Sequence, residues 1–259
     1  MSAGAATAVP AMSDVSVVEA ERIFASEGMF VSGVLDGLGD RRGHAGLRLR
    51  RGERSRPLGL SQPARLLKRA FDLLGASLLL ILGAPLLLVI AVAIRLEGPG
   101  PVFFRQTRVG RDGRPFRIVK FRTMVVGADA LKESLRELNE ASGLFKIADD
   151  PRITRVGGVV RRSCLDEVPQ LFNVLKGEMS LVGPRPLIPE EDCKIVGSQR
   201  VRLQTAPGMT GHWQVLGAAR IPLEEMVAID CRYIDNWTIW SDLGTLARTI
   251  PCVLARRGI

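Results

Sequence analysis

One uncharged apolar stretch, Leu73 to Ile94, restricts how this chain can fold more than any other feature of its sequence. At about 1.5 Å per residue a helix over that stretch measures roughly 33 Å, which is enough to cross the core of a bilayer. A helix that is apolar on every side belongs in the core of a large protein or in lipid, because it has no face to offer to water. The sequence therefore predicts a membrane-embedded segment.

A proline inside the stretch and basic residues on both sides of it leave two membrane paths open. Pro85 cannot donate a hydrogen bond to the carbonyl of Ile81, and its ring crowds that turn, so a kink is expected. Lys68 and Arg69 precede the stretch and Arg95 follows it. Positive charge favours the cytoplasmic side, so both ends on that side would require a re-entrant hairpin. A kinked helix that spans the membrane is the alternative.

The first 62 residues are predicted to be a disordered basic tail. They are rich in Ala, Gly, Ser and Arg, and the run Arg41 to Arg56 is basic and broken by glycines. Such a composition lacks the apolar residues that a packed core needs. An arm that binds a lipid surface or a partner is the alternative interpretation.

The overall charge favours anionic partners. Lys and Arg outnumber Asp and Glu by 36 to 27, which gives a net charge of +9. Phospholipid headgroups, nucleic acid and phosphorylated substrates all suit such a chain. Nucleic acid is disfavoured, because no finger, aromatic-rich sheet or groove-binding basic helix is recognisable. The four cysteines form no C-x-x-C pair and there are only two histidines, so a zinc site is not expected. Kinase and dinucleotide-binding motifs are absent.

After residue 97 the sequence predicts an α/β domain that is mostly helical with few short strands. Gly-rich and Pro-rich turns separate the predicted elements. These are strands Val102–Phe104 and Pro115–Phe121 and helices Ala128–Ala141, Leu165–Leu175 and Leu223–Trp237. A further apolar segment, Asp242–Leu254, begins beside Trp237 and Trp240. Tryptophan there suggests the membrane interface, with a core or rim position as the alternative.

An adjacent carboxylate pair, Asp166 and Glu167, stands at the start of the predicted helix Leu165–Leu175. Such a pair often only complements the helix dipole. Here the surrounding sequence is rich in residues that bind phosphate, namely Lys120, Arg122, Arg152, Arg155, Arg161, Arg162 and Arg185. An aspartate near arginines remains ionised and can act as a nucleophile on phosphorus. Carboxylates that hold a divalent cation would also suit a pyrophosphate substrate.

Seven segments between Lys68 and Ile250 together resemble the bacterial sugar transferases, the monotopic phosphoglycosyl transferases that start lipid-linked glycan assembly. The segments occur in the order of that family, and no one of them would be specific alone. They are KRAFDLL (68–74), GPGPVFFRQTRVG (98–110), KFRTM (120–124), DPRITRVG (150–157), RRSCLDEVPQLFNVLKGEMSLVGPRP (161–186), PGMTGHWQV (207–215) and EEMVAIDCRYIDNWTIWSDL (224–243). The chain is most similar to the small forms of the family that serve exopolysaccharide synthesis.

The resemblance implies a monotopic architecture. Family members place a re-entrant helix–break–helix hairpin in the inner leaflet of the bacterial inner membrane and a compact catalytic domain with amphipathic surface helices on the cytoplasmic face. Their break falls at a small residue followed by proline, which here is Ala84-Pro85. The domains expected are therefore a tail over 1–62, a hairpin over 63–97 and a catalytic domain over 98–259.

The resemblance also implies a two-step reaction. Asp166 attacks the β-phosphate of a UDP-sugar, UMP leaves, and the sugar phosphate is held on Asp166 until undecaprenyl phosphate, a polyprenyl phosphate, takes it. Glu167 completes the catalytic pair. The family uses Mg²⁺, which is assigned to Asp166, and the donor expected is UDP-galactose or UDP-glucose. Phosphate contacts are expected from five residues, Lys120, Arg122, Arg152, Arg162 and Arg185; for each arginine, pairing with a nearby Asp or Glu is the alternative.

One segment departs from the family pattern. After the tryptophan motif the family usually has Gly-Arg-Asn or Gly-Arg-Ser, whereas this chain has Gly217-Ala218-Ala219-Arg220. Ala218 thus stands where an arginine is expected. This leaves open a catalytically impaired family member that acts as a membrane scaffold or binds a partner. Membrane lipids are expected partners, nucleic acid is not, and a homo-oligomer is left open.

Overall fold

A computed structural model describes residues 61–128, 130, 131, 135, 147, 150–215 and 222–254, the last three by their backbone only. All of them belong to one compact unit, Leu58–Ile259. The predicted tail and the helix expected after Ala128 fall almost wholly outside the described residues. The departure at Ala218 lies outside them too.

The apolar stretch forms part of one helix, α1, which runs over Gln62–Glu97. Ala84 and Pro85 lie inside this helix, so the predicted break does not interrupt it. Proline is compatible with helical φ and removes a single backbone donor, which explains why helix continues on both sides. The helix is long and apolar enough to cross a membrane, and little of it is buried. The re-entrant path remains a prediction.

Both ends of α1 pack against the rest of the molecule, whereas its middle does not. Ala76 near the start is fully buried, and Ile94 near the end is 1% exposed. Between them Ile81 and Leu82 are each 71% exposed. An apolar surface of this kind is unfavourable in water and suits lipid.

A β-hairpin follows α1. Strands β1 (Phe103–Val109) and β2 (Pro115–Phe121) pair antiparallel, with Phe103 opposite Phe121 and Val109 opposite Pro115. A 3₁₀ turn, Arg111–Gly113, joins them. The sequence predicts β2 correctly but places only the beginning of β1.

The remaining elements are short helices and a second pair of strands. In chain order they are α2 (Arg155–Arg162), a 3₁₀ helix (Leu165–Gln170), α3 (Leu171–Lys176), β3 (Ser180–Val182), α4 (Pro189–Asp192), a 3₁₀ helix (Gly197–Gln204), β4 (Gly208–Thr210), α5 (His212–Val215), α6 (Leu223–Asp235) and α7 (Ile239–Leu254). The described chain is thus mostly helical with few short strands, as the sequence predicts.

Strands β3 and β4 are parallel, and the backbone of Gly208 in β4 lies close to that of Gly183, the residue after β3. Ser180 is opposite Gly208 and Val182 is opposite Thr210. A Cβ atom added to Gly208 would lie 2.1 Å from the backbone nitrogen of Gly183, so the site admits only glycine. This close contact fixes the loop that follows β3.

Three clusters of buried apolar side chains hold the domain together. The first joins α1, through Ala76, to the hairpin and to α3. The second lies around Trp213 and α6. The third joins the end of α1, through Ile90 and Ile94, to Phe121 and α2. Since α1 belongs to two of the three clusters, the apolar helix is also part of the domain core.

The predicted helix Leu165–Leu175 is divided in two, and its buried face differs from the prediction. Pro169 lies inside the 3₁₀ helix that forms the first half. A 3₁₀ helix has about three residues per turn rather than 3.6, which shifts the phase of the residues that follow. Regular helical spacing predicts one apolar face made of Leu165, Val168, Leu171, Phe172 and Leu175. In the structure Phe172 is 45% exposed, and Val174 is fully buried instead.

Candidate active site

A tight reversal of the chain presents Asp166. Thr154 caps the start of helix α2, because its hydroxyl accepts a hydrogen bond from the backbone of Gly157 at 3.0 Å. The helix ends at Arg162. Cys164 then adopts a left-handed conformation with φ of 55°. This conformation is uncommon for a residue with a side chain and is concentrated at functional sites. It turns the chain so that Asp166 lies in the first turn of the next helix.

A buried amide in α3, the helix that directly follows the 3₁₀ helix, ties this part of the chain to β2, the strand that carries Lys120. The Asn173 side chain is fully buried; it accepts a hydrogen bond from the backbone of Val119 at 3.0 Å and donates one to the carbonyl of Arg117 at 2.8 Å. It thereby satisfies the edge of β2 as a neighbouring strand would. Lys120 and the carboxylate pair are therefore held on one rigid support.

Lys120 and Glu167 form an ion pair at the centre of the site. Both side chains are partly exposed, at 26% and 29%. Burial acts to raise the pKa of Glu167, but the charge and hydrogen bond of Lys120 outweigh it, with help from Arg185 and Gln170. The pKa of Glu167 is therefore lowered, and this carboxyl stays ionised and paired.

Asp166 differs sharply from its neighbour. It is 8% exposed, and burial raises its pKa to about 6. The charge of Glu167 acts in the same direction, whereas Lys120 and Arg161 oppose it. The sequence predicts an aspartate kept ionised by arginines; instead burial dominates. At pH 7 the group is still mostly ionised, and it is more basic than an ordinary aspartate, which favours nucleophilic attack.

Two of the five residues predicted to bind phosphate act on the carboxylate pair. Lys120 contacts Glu167 directly. Arg185 lies in the loop after β3, and its charge also lowers the pKa of Glu167. The Arg185 guanidinium stacks over the ring of Trp213, at 5.2 Å from the ring centroid.

Arg122 is engaged with the end of α1 instead. It donates hydrogen bonds to three backbone carbonyls, those of Ile94 (3.2 Å), Gly98 (3.1 Å) and Pro99 (2.7 Å). The last carbonyls of a helix lack intrahelical partners, and basic side chains commonly satisfy them. The contacts of Arg122 are therefore those of a helix cap and not of the predicted phosphate site.

Arg152 and Arg162 do not join the carboxylate pair either. Arg152 forms a two-pronged pair with Asp150, with 2.8 Å from Nε to Oδ1 and 2.6 Å from Nη2 to Oδ2. The alternative of structural pairing is thus the observed one. Arg162 is exposed on α2, and the neighbouring Arg161 supplies the charge that acts on Asp166.

A second guanidinium accompanies Arg185. Arg108 on β1 donates to the carbonyl of Pro186 at 3.1 Å and to Gln106 at 2.6 Å. Burial lowers its pKa, and the nearby positive charge of Arg185 lowers it further, against the charges of Glu191 and Glu167. Two guanidinium groups that repel one another suit an anion between them.

Comparison with known proteins agrees with this arrangement. The family model described as bacterial sugar transferase matches residues 63–256, which include the carboxylate pair and all but the first residue of α1. The chain belongs to the bacterial sugar transferase family.

Several curated bacterial relatives of this sugar transferase carry informative names. The UDP-galactose-lipid carrier transferase of Erwinia amylovora is 44% identical over 200 residues, 75% of this chain and 42% of the relative. The exopolysaccharide production protein ExoY of Rhizobium meliloti is 40% identical over 74% of this chain and 87% of its own length. The UDP-glucose:undecaprenyl-phosphate glucose-1-phosphate transferase of Caulobacter vibrioides is 43% identical over 72% of this chain and 69% of its own length. Several other relatives are also matched over less than half of their length.

A magnesium ion in this sugar transferase would depend on Asp166. Among the residues that the structure describes, no group of three or more His, Cys, Asp or Glu side chains could hold a metal ion. Glu167 is neutralised by Lys120, so Asp166 is the carboxylate of the pair with charge to offer. Mg²⁺ often takes one or two protein carboxylates and completes its shell with substrate phosphates and water. The donor set fits an ion that binds together with a diphosphate.

Sequence reasoning did not name Arg108 as a site residue, and it chose Arg162 rather than the neighbouring Arg161 for a phosphate contact. Arg161 cannot be distinguished from Arg162 without knowing where α2 ends and how the chain reverses at Cys164. Arg108 closely follows the membrane segment, so by sequence it resembles a flanking charge. The sequence did contain one signal for Arg108. Phe104, Gln106 and Arg108 alternate along β1 and so share one face of the hairpin, and Lys120, which pairs with Phe104, lies on that same face.

Proposed function

We propose that the chain transfers a hexose phosphate from a UDP-sugar to undecaprenyl phosphate and releases UMP. The observation that carries this proposal is Asp166: a buried, basic aspartate beside the Lys120–Glu167 pair, in a chain of the bacterial sugar transferase family. The printed names of relatives support a galactose or glucose phosphate and a role in exopolysaccharide synthesis.

The proposed reaction has two displacements at phosphorus. A carboxylate oxygen of Asp166 attacks the β-phosphorus, the bond from this phosphorus to the bridging oxygen breaks, and UMP leaves with that electron pair. An oxygen of the lipid phosphate then attacks the same phosphorus, and the bond to Asp166 breaks. The carboxylate is restored, and the lipid diphosphate sugar leaves. No net proton is needed, which suits a site whose two carboxylates are both mostly ionised at pH 7.

The surrounding charges would stabilise the phosphates through both steps. Lys120, Arg185, Arg108 and Arg161 supply positive charge at the pair, and such fixed charges act strongly where water is excluded. Glu167 keeps Lys120 in place. Mg²⁺, held by Asp166 and the substrate, would neutralise further phosphate charge.

The position of Asp166 next to an apolar cluster gives the lipid a route to the site. Leu165 precedes Asp166, Phe121 follows Lys120, and both pack in the cluster that contains Ile90 and Ile94 of α1. The reacting groups thus adjoin the end of the membrane helix. We infer that the lipid phosphate arrives along this side and the nucleotide sugar from water.

The packing of α1 supports a re-entrant path. Both of its ends dock on the same domain, and its exposed middle lies between Ala76 and Ile90, which are about 21 Å apart along a straight helix. Pro85 and Ile81 are both exposed, so the crowded turn lies on the side away from the domain. A kink opens on the side of the proline and bends both ends toward the domain. The domain would then lie on the cytoplasmic face of the inner membrane.

The activity is tested with the full chain in bacterial membranes. Membranes are incubated with undecaprenyl phosphate and a panel of UDP-sugars, and UMP release is measured. We expect release with UDP-galactose or UDP-glucose and a hexose phosphate adduct on the protein when lipid phosphate is omitted. Release of no UMP with any donor would reject the proposal and favour the scaffold alternative.

The membrane path is tested by cysteine labelling. Ser61→Cys and Pro99→Cys are made singly in a chain whose native cysteines are replaced by serine. Both positions are exposed and flank α1. We expect an impermeant maleimide to label neither in spheroplasts and both after lysis. Labelling of one end from outside would show a spanning helix.

A further inference from the structure

The loop that carries Arg185 is held by its backbone at every step. The carbonyl of Pro184 accepts from the backbone of Gly208 at 2.8 Å, and that of Leu187 accepts from Val109 at 2.9 Å. The carbonyl of Pro186 accepts from Arg108. The prolines on either side of Arg185 further restrict the backbone.

The carbonyl of Arg185 itself is bound by a buried arginine. Nη2 of Arg202 donates to this carbonyl at 2.6 Å and to Oδ2 of Asp230 at 3.1 Å. Both hydrogens of one amino group are thus engaged, one on the loop and one on the carboxylate. A hydrogen bond from the backbone N–H of Arg185 to the Asp230 carboxylate also acts to lower the pKa of Asp230.

The Arg202–Asp230 pair is costly to bury. Both residues are 2% exposed, and burial raises the pKa of Asp230 to about 6 although Arg202 opposes this. Buried ion pairs contribute little to net stability and can often be replaced by apolar residues at no loss. What an apolar pair could not provide is the hydrogen bond to the Arg185 carbonyl.

The side chain of Arg185 is left with donors to spare. Its guanidinium stacks on Trp213, which is 3% exposed, and it makes no hydrogen bond to the residues that the structure describes. Stacking fixes the plane of the guanidinium and leaves its edge free for bidentate contact with a phosphate. The backbone and the guanidinium plane of Arg185 are therefore both fixed in advance.

We propose that Arg202 and Asp230 are positioning residues that hold Arg185, through its peptide carbonyl, in the geometry that binds the diphosphate of the donor. The inference rests on the proposed function. Arg202 and Asp230 touch no substrate; they act through Arg185, and their value is orientation that need not be gained at each binding event.

The test replaces the pair by apolar residues and measures donor binding in turnover. Arg202→Met/Asp230→Leu in the full chain should keep the melting temperature, since both members of the buried pair are removed and Asp192, which also faces Arg202, keeps Arg200 as its partner. We expect the KM for the UDP-sugar to rise about tenfold or more, with a smaller change in kcat, because Arg185 serves to bind the donor diphosphate. A stable variant with unchanged KM would overturn the proposal.

A double-mutant cycle guards against an indirect effect. In an Arg185→Ala background the apolar pair should change KM less than about twofold, because residues that act through one another are not additive. Additive changes would overturn the proposal even if the KM rises. If Arg202→Met/Asp230→Leu proves unstable, Asp230→Asn is carried through the same cycle.

Asp192→Asn is the matched control. Asp192 also faces Arg202, at 3.8 Å from Nη1, but the structure gives it no contact with Arg185. We expect a KM close to that of the parent chain; an increase equal to that of Asp230→Asn would show a loss of charge, not of orientation, and would overturn the proposal. Failure of the proposed function looks different, since the parent chain would then release no UMP at all.

Discussion

Two groups of charged residues, each drawn from distant parts of the chain, differ in how their carboxylates are hydrogen-bonded. The site cluster consists of Asp166, Glu167 and Lys120. The anchor cluster consists of Lys68 and Asp72 on α1 with Tyr233, Trp237 and Asp242 at the other end of the chain. Both clusters hold two carboxylates and one lysine. Among the residues that the structure describes, Asp166 is the carboxylate of the two clusters that accepts no hydrogen bond from another residue.

In the anchor cluster both carboxylates accept hydrogen bonds from other residues. Asp242 is fully buried and accepts from Lys68 at 2.6 Å, Tyr233 at 2.7 Å and Trp237 at 3.1 Å. Asp72 accepts from the Ser180 hydroxyl and the Leu181 backbone, both at 2.9 Å. Such a network fixes the start of α1 against α7 and β3.

In the site cluster the one lysine is bound to Glu167, and burial leaves Asp166 with a raised pKa. A buried carboxylate without a bound cation costs stability. Under the proposed function, the carboxylate that lacks a partner residue is the reactive one, whereas the hydrogen-bonded carboxylates of the anchor cluster are structural.

The largest effect is expected at the unmatched carboxylate. Asp166→Asn keeps the shape of the side chain but removes the nucleophile, so UMP release should fall by about a thousandfold or more. The measurement is initial UMP release by membranes with matched amounts of enzyme. Activity within tenfold of the parent chain would show that Asp166 is not the nucleophile.

Breaking the anchor cluster should cost stability and spare chemistry. Lys68→Met leaves Asp242 buried without its cation, which should lower the free energy of unfolding by about 3–5 kcal/mol. Thermal unfolding in detergent measures this loss, and kcat per folded molecule should be unchanged. Lys176→Met, at an exposed lysine, is the control and should change stability by less than about 0.5 kcal/mol. An equally mild effect of Lys68→Met would contradict the structural role.

Asp166→Asn should also stabilise the fold at neutral and alkaline pH. The pKa of Asp166 in the fold is about 6, above the ordinary value, so its contribution to stability is lost as pH rises from about 4 through 6. The amide avoids this loss, which is on the order of 3 kcal/mol. Melting temperatures should differ at pH 8 and converge at pH 4. No difference at pH 8 would mean that Asp166 is not held in the environment described.

The smallest effect is a shift in the pH profile. Activity of the parent chain should rise through pH of about 6 as Asp166 ionises and then level off. Because Lys120 lowers the pKa of Asp166, Lys120→Met should move the midpoint of the remaining activity to higher pH. A midpoint that does not move, or that falls, would argue that the profile reports another group.

The sequence was informative where the signal is local. Strand β2 was predicted correctly from its β-branched and aromatic residues. Asp166 and Glu167 were proposed as the catalytic pair from a short charged segment, and that proposal stays a prediction. The phosphate contacts expected of Arg122 and Arg152 stay a prediction, because composition cannot tell which neighbour a long side chain reaches. In the structure each of them binds an acceptor close in the chain or in space. The phase of the helix after Pro169 was wrong for a similar reason, since a 3₁₀ turn does not differ in composition from an α-helix.

Long-range pairs were beyond the sequence. Lys68 and Asp242 are 174 positions apart, and the partners Arg202 and Asp230 come from separate helices. For each of these four residues, the neighbouring sequence does not show whether the charge is buried with a partner or exposed to solvent. Such pairs arise from the tertiary packing alone.

The double attachment of α1 has a mechanical consequence. A domain that is attached to only one end of a membrane helix can rotate about the attachment point, and its distance from the lipid surface can vary. Here Lys68 is secured at one end of the helix, and Arg122 holds its other end. Attachment at both ends prevents this rotation, so the helix and the domain move as one rigid body. The depth of α1 in lipid would then determine the distance of Asp166 from the membrane surface.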